Sequence, residues 1–286
     1  MASPSLRRTG AAPRSRRRSW PARNELYGGL ALVGFANGAS ERAADEIANS
    51  GLAGAVFNTL GVSVVVWAAL AVALWLFAKA EREPAKTSDL AVAFIAIIAF
   101  LVPVPSLAWF AVSGMAAYLA WTSPARSFLH RGAIVLGALT IPMLWARLLF
   151  AALSNTLLAA DAKLVSWLVG TQSTGNAIPF ADGSGVLFLE PACSSLTNLS
   201  LALLCGVIFV KAYDRQWSRA VVATTLAACA ATVFINVVRI SVIGLFPATY
   251  EVVHGAVGAS IGAWATILAI AIIYTNGIKP DAPDPS

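Results

Sequence analysis

The sequence predicts an all-α integral membrane protein of about eight transmembrane helices, with a small extracytoplasmic β-hairpin leading into Cys193. Three observations carry that prediction. Hydrophobic residues make up 58% of the 286-residue chain and charged residues only 12%, with a mean hydropathy of +0.73; soluble domains carry roughly 25% charge. Apolar runs recur at lengths near the roughly 20 residues that a straight crossing needs. Basic residues gather in alternate connections, the pattern that orients membrane helices.

The elements follow in chain order. The first 23 residues hold seven arginines (Arg7, Arg8, Arg14, Arg16, Arg17, Arg18 and Arg23) and no acid. They read as the core of a basic cytosolic tail over 1–25 that orients the chain and touches anionic lipid. Nucleic acid is not expected as a partner of so short a tail. No cleavable signal peptide is read here, because "ELYGGLALVGFANGAS" lacks a clean A-x-A site. A single polytopic membrane domain over 26–275 is expected to follow, with a proline-rich cytosolic tail over 276–286.

The apolar runs place spans at 26–39, 52–78, 90–102, 106–122, 132–150, 195–210, 219–240 and 256–275. The first is short and glycine-rich, so a re-entrant or interfacial course stays open for it. Only "PVPS" separates 90–102 from 106–122, which makes those two a tight hairpin. Eight crossings with both termini inside put 16 of the 20 Lys and Arg residues on the cytosolic side, with Arg219 at an inner helix end. Arg42 and Lys163 then fall in outer loops, and Arg147 and Arg239 near outer span ends.

The longest outer segment is 151–194. Its first part, "AALSNTLLAADAKLVSWLVG", suits a helix on the membrane surface or an extension of the previous span. Next, "NAIPF" and "GVLFLE" flank Asp182-Gly183, a turn signal between two short strands.

Ionisable groups beside spans are functional candidates because burying them is costly. Cys193 opens the sixth span, Arg239 ends the seventh and His254 opens the eighth, all at one predicted depth. Each alone has an ordinary reading: packing, an interfacial anchor or a helix cap. Arg147 reads as a snorkelling side chain. Cys205 and Cys229 lie about 15–18 Å deeper at 1.5 Å per residue, as packing residues do. Together, Cys193, Arg239 and His254 suit nucleophilic acyl transfer. The thiolate attacks, the imidazole moves the proton, and the guanidinium stabilises an oxyanion. Asn236, one turn before Arg239, is a candidate to orient Arg239 or His254. Ser194 and Ser195 can lend backbone N–H donors or cap the helix, and capping fits both better. Glu190 either pairs with Arg239 or is a solvated loop carboxylate. No cofactor and no metal is called for.

The motifs "ACSSL" around Cys193, "NVVRI" around Arg239 and "HGAVG" around His254, in that order, resemble the exosortase/archaeosortase family of multi-spanning membrane cysteine transpeptidases. The resemblance covers roughly residues 90–275. It implies Cys193 as nucleophile, His254 as acid/base and Arg239 as transition-state stabiliser. It also implies a bacterial or archaeal inner membrane, with the site facing the periplasm or outside. The implied substrate is an exported protein with a C-terminal motif, often Pro-Glu-Pro-like, then a transmembrane helix and a basic cluster. Such a protein is cut near the motif and its acyl group passed to an acceptor. The chain departs from the family pattern at two positions. Ser195 stands where the pattern has Gly and Thr197 where it has Arg, which bears on any acidic signal residue. Hydrolysis alone, with water as acceptor, is the nearest alternative. A non-enzymatic transporter or export-assembly subunit is another, although transporters place their charges nearer the midplane.

Overall fold

The computed structural model describes residues 21–277. The basic tail up to residue 20 and the proline-rich tail from residue 278 lie outside the described residues. The fold is almost wholly helical. Among the described residues, four helices are long and apolar enough to cross a membrane: Phe128–Val169, Ser195–Ala212, Arg219–Leu245 and Val257–Gly277. Val64–Lys79 and Thr87–Leu101 are shorter apolar helices. The protein is a multi-pass membrane protein, and crossings beyond these four rest on the charge pattern.

Helix α1 (Arg23–Phe57) is far longer than the 26–39 apolar run. Its second half, "SERAADEIANS", is polar but rich in good helix formers, so helix continues where hydropathy stops. Gly51, at φ 71° and ψ 171°, breaks its axis. The expected span 52–78 is therefore two pieces. Residues 52–57 finish α1, a tight turn with Leu60 and Gly61 at positive φ follows, and α2 (Val64–Lys79) starts at the Ser63 N-cap. Arg23, grouped with the basic tail on sequence, is instead a buried residue of α1. Its Nε donates to Asp89 at 2.9 Å, and both side chains are almost fully buried. Asp89 belongs to α3 (Thr87–Leu101), which is followed after a short Pro103-containing turn by α4 (Pro105–Thr122).

Helix α5 (Phe128–Thr140) runs through a five-residue π turn, Ile141–Trp145, into α6 (Ala146–Val169). Pro142 explains the π turn, since it has no N–H to donate and crowds the preceding turn. At the far end, α7 (Ser195–Ala212) is held to α5 by Arg131, which donates to the carbonyls of Lys211 (2.7 Å) and Ala212 (2.8 Å). At the near end, Asp161 of α6 accepts from the backbone N–H of Ser195 at 2.9 Å. From Arg131 to Asp161 an ideal helix runs about 45 Å, whereas the matching stretch of α7 is about 24 Å. The extra length is absorbed by the π turn and by a second bend at Leu153 (φ −125°, ψ 20°). Residues 151–169 are thus an extension of the previous span that folds over the end of the bundle.

The expected hairpin is present. Strands β1 (Ala177–Pro179) and β2 (Val186–Phe188) pair antiparallel with Ile178 opposite Leu187. Both of these are buried, while Val186 and Phe188 face outward, the period-two pattern of a half-covered strand pair. The Asp182 carboxylate accepts from Ser184 N–H at 2.9 Å and closes the turn. Ala181 N–H donates to the Gly244 carbonyl, which ties the hairpin to the end of α8 (Arg219–Leu245). A five-residue helix, α9 (Tyr250–His254), and α10 (Ala256–Gly277) complete the chain.

Two apolar cores result. The larger joins α1–α5 with parts of α7, α8 and α10, and contains Cys205 and Cys229. The smaller lies under the hairpin, between α6 and the end of α8, and contains Cys193 with Leu158, Val165, Ile178 and Ile240.

Candidate active site

Cys193 ends a single 3-10 turn, Pro191–Cys193, just ahead of α7. Its N–H donates to the Glu190 carbonyl at 2.9 Å, and that of Ser194 to Pro191 at 3.2 Å. Ser194 is the N-cap of α7, its hydroxyl accepting from Leu196 N–H. The cap reading therefore holds for Ser194. Ser195 does something different: its N–H goes to Asp161, and its hydroxyl accepts from Asn236 Nδ2 at 3.1 Å. Neither Ser194 nor Ser195 keeps a free backbone donor for an oxyanion.

The three groups singled out on sequence come from consecutive elements. Cys193 lies at the start of α7, Arg239 in the last two turns of α8, and His254 at the break between α9 and α10. Because α7 and α8 are antiparallel neighbours and α10 returns alongside α8, all three reach one end of the bundle. Cys193 Sγ is 4.0 Å from His254 Nδ1, the outer edge of hydrogen-bond range for sulfur. Contacts of this kind are often long without substrate. The thiol is 5% exposed, so a substrate must displace part of its cover to reach it.

His254 is held by geometry on both sides. Tyr250, four residues earlier, stacks on its ring with centroids 5.0 Å apart and planes 18° apart. Beyond it, the chain turns through Gly255 into α10, where a Cβ on Gly258 would stand 2.2 Å from the Val253 carbonyl oxygen. Only a glycine lets the two helices close up at that distance.

Arg239 is half-buried and makes no ion pair among the described residues. It lines a cavity of about 290 Å³ between α7, α8 and α10, together with Ser194, Thr197, Asn236 and Gly262. Glu190 is exposed and not paired with Arg239, which leaves the solvated-carboxylate reading. Asn236 makes no hydrogen bond to Arg239 or His254 among the described residues. Its amide donates to the Cys193 carbonyl oxygen at 2.7 Å as well as to Ser195, so it holds the backbone of the cysteine turn.

Asp161 and Tyr250 were not singled out on sequence. Asp161 carries a faint signal, as a lone acid inside the apolar helical run "LLAADAKLV". Tyr250 carries only its i−4 spacing to His254.

With this arrangement on the page, the comparisons become informative. Residues 55–274 match the family described as transmembrane exosortase. The chain belongs to that family. Membership points, at the coarse level, to a membrane-embedded transpeptidase or protease of the cysteine type. No curated protein and no solved structure matches the chain. The matched stretch of this exosortase-family chain starts inside α1 and runs almost to the end of α10, so it takes in Cys193, Asn236, Arg239 and His254 together.

Proposed function

We propose that the protein is a cysteine transpeptidase that cuts the C-terminal sorting signal of exported, membrane-anchored proteins and passes the new acyl end to an acceptor. The observation that carries this reading is the 4.0 Å approach of the Cys193 thiol to His254 Nδ1 at one end of the bundle, where Arg239, without an ion pair among the described residues, lines the neighbouring cavity. With the imidazole proton on Nε2, Nδ1 is free to accept the thiol proton. The thiolate then adds to the scissile carbonyl carbon. Negative charge passes to the carbonyl oxygen, which Arg239 is placed to receive, since the neighbouring Ser194 and Ser195 amides are already engaged. Collapse breaks the C–N bond, and His254 returns its proton to the leaving amine. The product is a thioester on Cys193. An acceptor nucleophile, deprotonated by His254, attacks the thioester and releases the thiol.

The supporting groups have roles in the same scheme. Asn236 holds the carbonyl of Cys193, and Asp161 holds the first N–H of α7, so the nucleophile's turn is fixed from α8 and from α6. The charge pattern and the family support an outward-facing site in the inner membrane of a bacterium or archaeon as part of this reading.

The test is Cys193→Ser, expressed with a tagged precursor that ends in a short motif, a transmembrane helix and a basic cluster. Full-length precursor is expected to accumulate, and unchanged processing in a well-expressed variant would sink the nucleophile assignment. Mass spectrometry of the wild-type product decides the acceptor. An added mass at the new C-terminus supports transfer, and a free carboxylate shows hydrolysis.

A further inference from the structure

The cavity that Arg239 lines reaches beyond the arginine, into the bundle between α7, α8 and α10. Two levels of polar groups border it. The outer level holds Ser194 and Arg239, and the inner level holds Asn198 and Thr266. Asn198 lies one turn after Ser194 on α7, and Thr266 one turn after Gly262 on α10, so the levels are about 6 Å apart. The α10 wall between them is made of small residues. A Cβ on Gly262 would stand 3.3 Å from Arg239 Cδ, so the glycine leaves room for the arginine stem.

Polar groups in this wall are left open. Other helical threonines turn their hydroxyls back to a carbonyl three or four residues earlier on their own helix, as Thr140, Thr225, Thr232 and Thr275 do. Thr266 is only 4% exposed, and its hydroxyl makes no hydrogen bond among the described residues. The Asn198 amide makes none there either. Asn236 donates through Nδ2 to the cysteine turn, which leaves its Oδ1 to accept from an occupant. Buried polar groups find partners, so this space suits a polar guest.

Charge narrows the kind of guest. Among the described residues, the wall carries a cation in Arg239 and no carboxylate. The nearby acids lie elsewhere: Asp161 accepts from Ser195 N–H, and Glu190 and Glu251 are exposed. An aliphatic amine arrives as an ammonium at neutral pH. Arg239 repels it, and no counter-charge meets it. A hydroxyl is uncharged, and it both donates and accepts.

We propose that this cavity is the acceptor subsite and that the acceptor is a compound with two neighbouring hydroxyl groups, so that the transfer product is an ester. The proposal rests on the Cys193 thioester of the reading above. One hydroxyl oxygen adds to the thioester carbonyl carbon while His254 takes its proton. The C–S bond then breaks, and the Cys193 thiolate recovers that proton from His254. The second hydroxyl rests on Asn198 and Thr266 and so holds the first in place for attack. A lone water satisfies one level of the cavity, whereas a diol satisfies both.

The experiment uses the full chain in detergent and an acetylated tripeptide benzyl thioester, which acylates Cys193 by thiol exchange. Glycerol and propane-1,2-diamine are offered at equal concentration. Mass spectrometry counts ester, amide and free acid above the background of Cys193→Ala. Ester is expected to exceed amide by about tenfold. In Thr266→Val and Asn198→Leu the ratio of ester to acid is expected to fall about three- to tenfold, the worth of a neutral hydrogen bond. Ala263→Leu narrows the cavity from an exposed position. It is expected to lower the same ratio and serves if the other variants do not fold. Amide in excess of ester overturns the hydroxyl assignment alone. A ratio unchanged by all three substitutions overturns the subsite. Methyl glucoside in place of glycerol tells a sugar hydroxyl from a glycerol-type one, and ester with either supports the proposal. Free acid alone, with acylated Cys193 present, overturns transfer itself and this subsite with it. Failure of both the thioester and iodoacetamide to modify Cys193 overturns the nucleophile reading, which is a distinct result.

Discussion

Asn236 is buried in α8 and gives one amide group to two acceptors on the cysteine turn. Cys193 has no helical partner for its carbonyl, because it precedes α7, and Asn236 supplies one from the neighbouring helix. Replacing Asn236 by Ala leaves that carbonyl and the Ser195 hydroxyl without their donor, a loss of about 1–3 kcal/mol for buried polar groups. The turn that aims Sγ at His254 then has one tie fewer. Asn236→Ala is expected to lower precursor processing by about tenfold or more, since small misplacements of a reacting group are costly. Wild-type processing in Asn236→Ala would show that the carbonyl needs no holding. The sequence made Asn236 visible only through its helical spacing to Arg239. That spacing placed it on the right helix but did not reveal its hydrogen-bond partners on the cysteine turn, because spacing along one helix says nothing about which neighbour it faces. Asp161 was less visible still. Its significance depends on the bend at Leu153, which brings a residue from far up α6 onto the first N–H of α7.

Among the elements, the smallest has the tightest constraint. Helix α9 is only five residues long and is held in place by its junction with α10. At that junction a side chain on Gly258 would collide with the Val253 backbone, one residue before His254. Gly258→Ala must therefore push α9 away, at a strain cost of about 1–3 kcal/mol, and it moves the imidazole with it. The expected outcome is a large loss of processing with a modest drop in thermal stability in detergent, since the clash lies at one end of the bundle. Processing at the wild-type rate would mean that His254 does not need this position. Legibility at this scale divides by the kind of signal. The β-hairpin was readable because Asp182-Gly183 and the alternation around Ile178 and Leu187 are local. The true length of α1 was not, because hydropathy falls at Glu41 and Arg42 while helix propensity does not. The break before α2 was hidden inside an unbroken apolar run, and it turns on positive φ at Leu60 and Gly61.

At the scale of the whole molecule, the chain separates two kinds of polar structure by end. One end holds Arg23 with Asp89, and Arg131 on the last carbonyls of α7, with Arg126 and Asp214 nearby. The other end holds Cys193, Arg239, His254 and the cavity that Arg239 lines. The first end also carries the basic connections that the positive-inside rule assigns to the cytosol, which supports the proposed outward-facing site. A membrane-impermeant maleimide applied to intact cells is thus expected to modify Cys193 alone. Cys205 lies about 18 Å further along α7 and Cys229 about 15 Å before Arg239 on α8, both in the larger core. Labelling at Cys193 will be slow, because the thiol is nearly covered. It should quicken in Gly258→Ala, which loosens the α9 side of that cover. Modification only in inverted membranes would reverse the orientation and remove the outward-facing site. Modification of Cys205 or Cys229 before Cys193 would contradict the depth order of the three thiols, and with it the placement of the site at a helix end rather than within the bilayer.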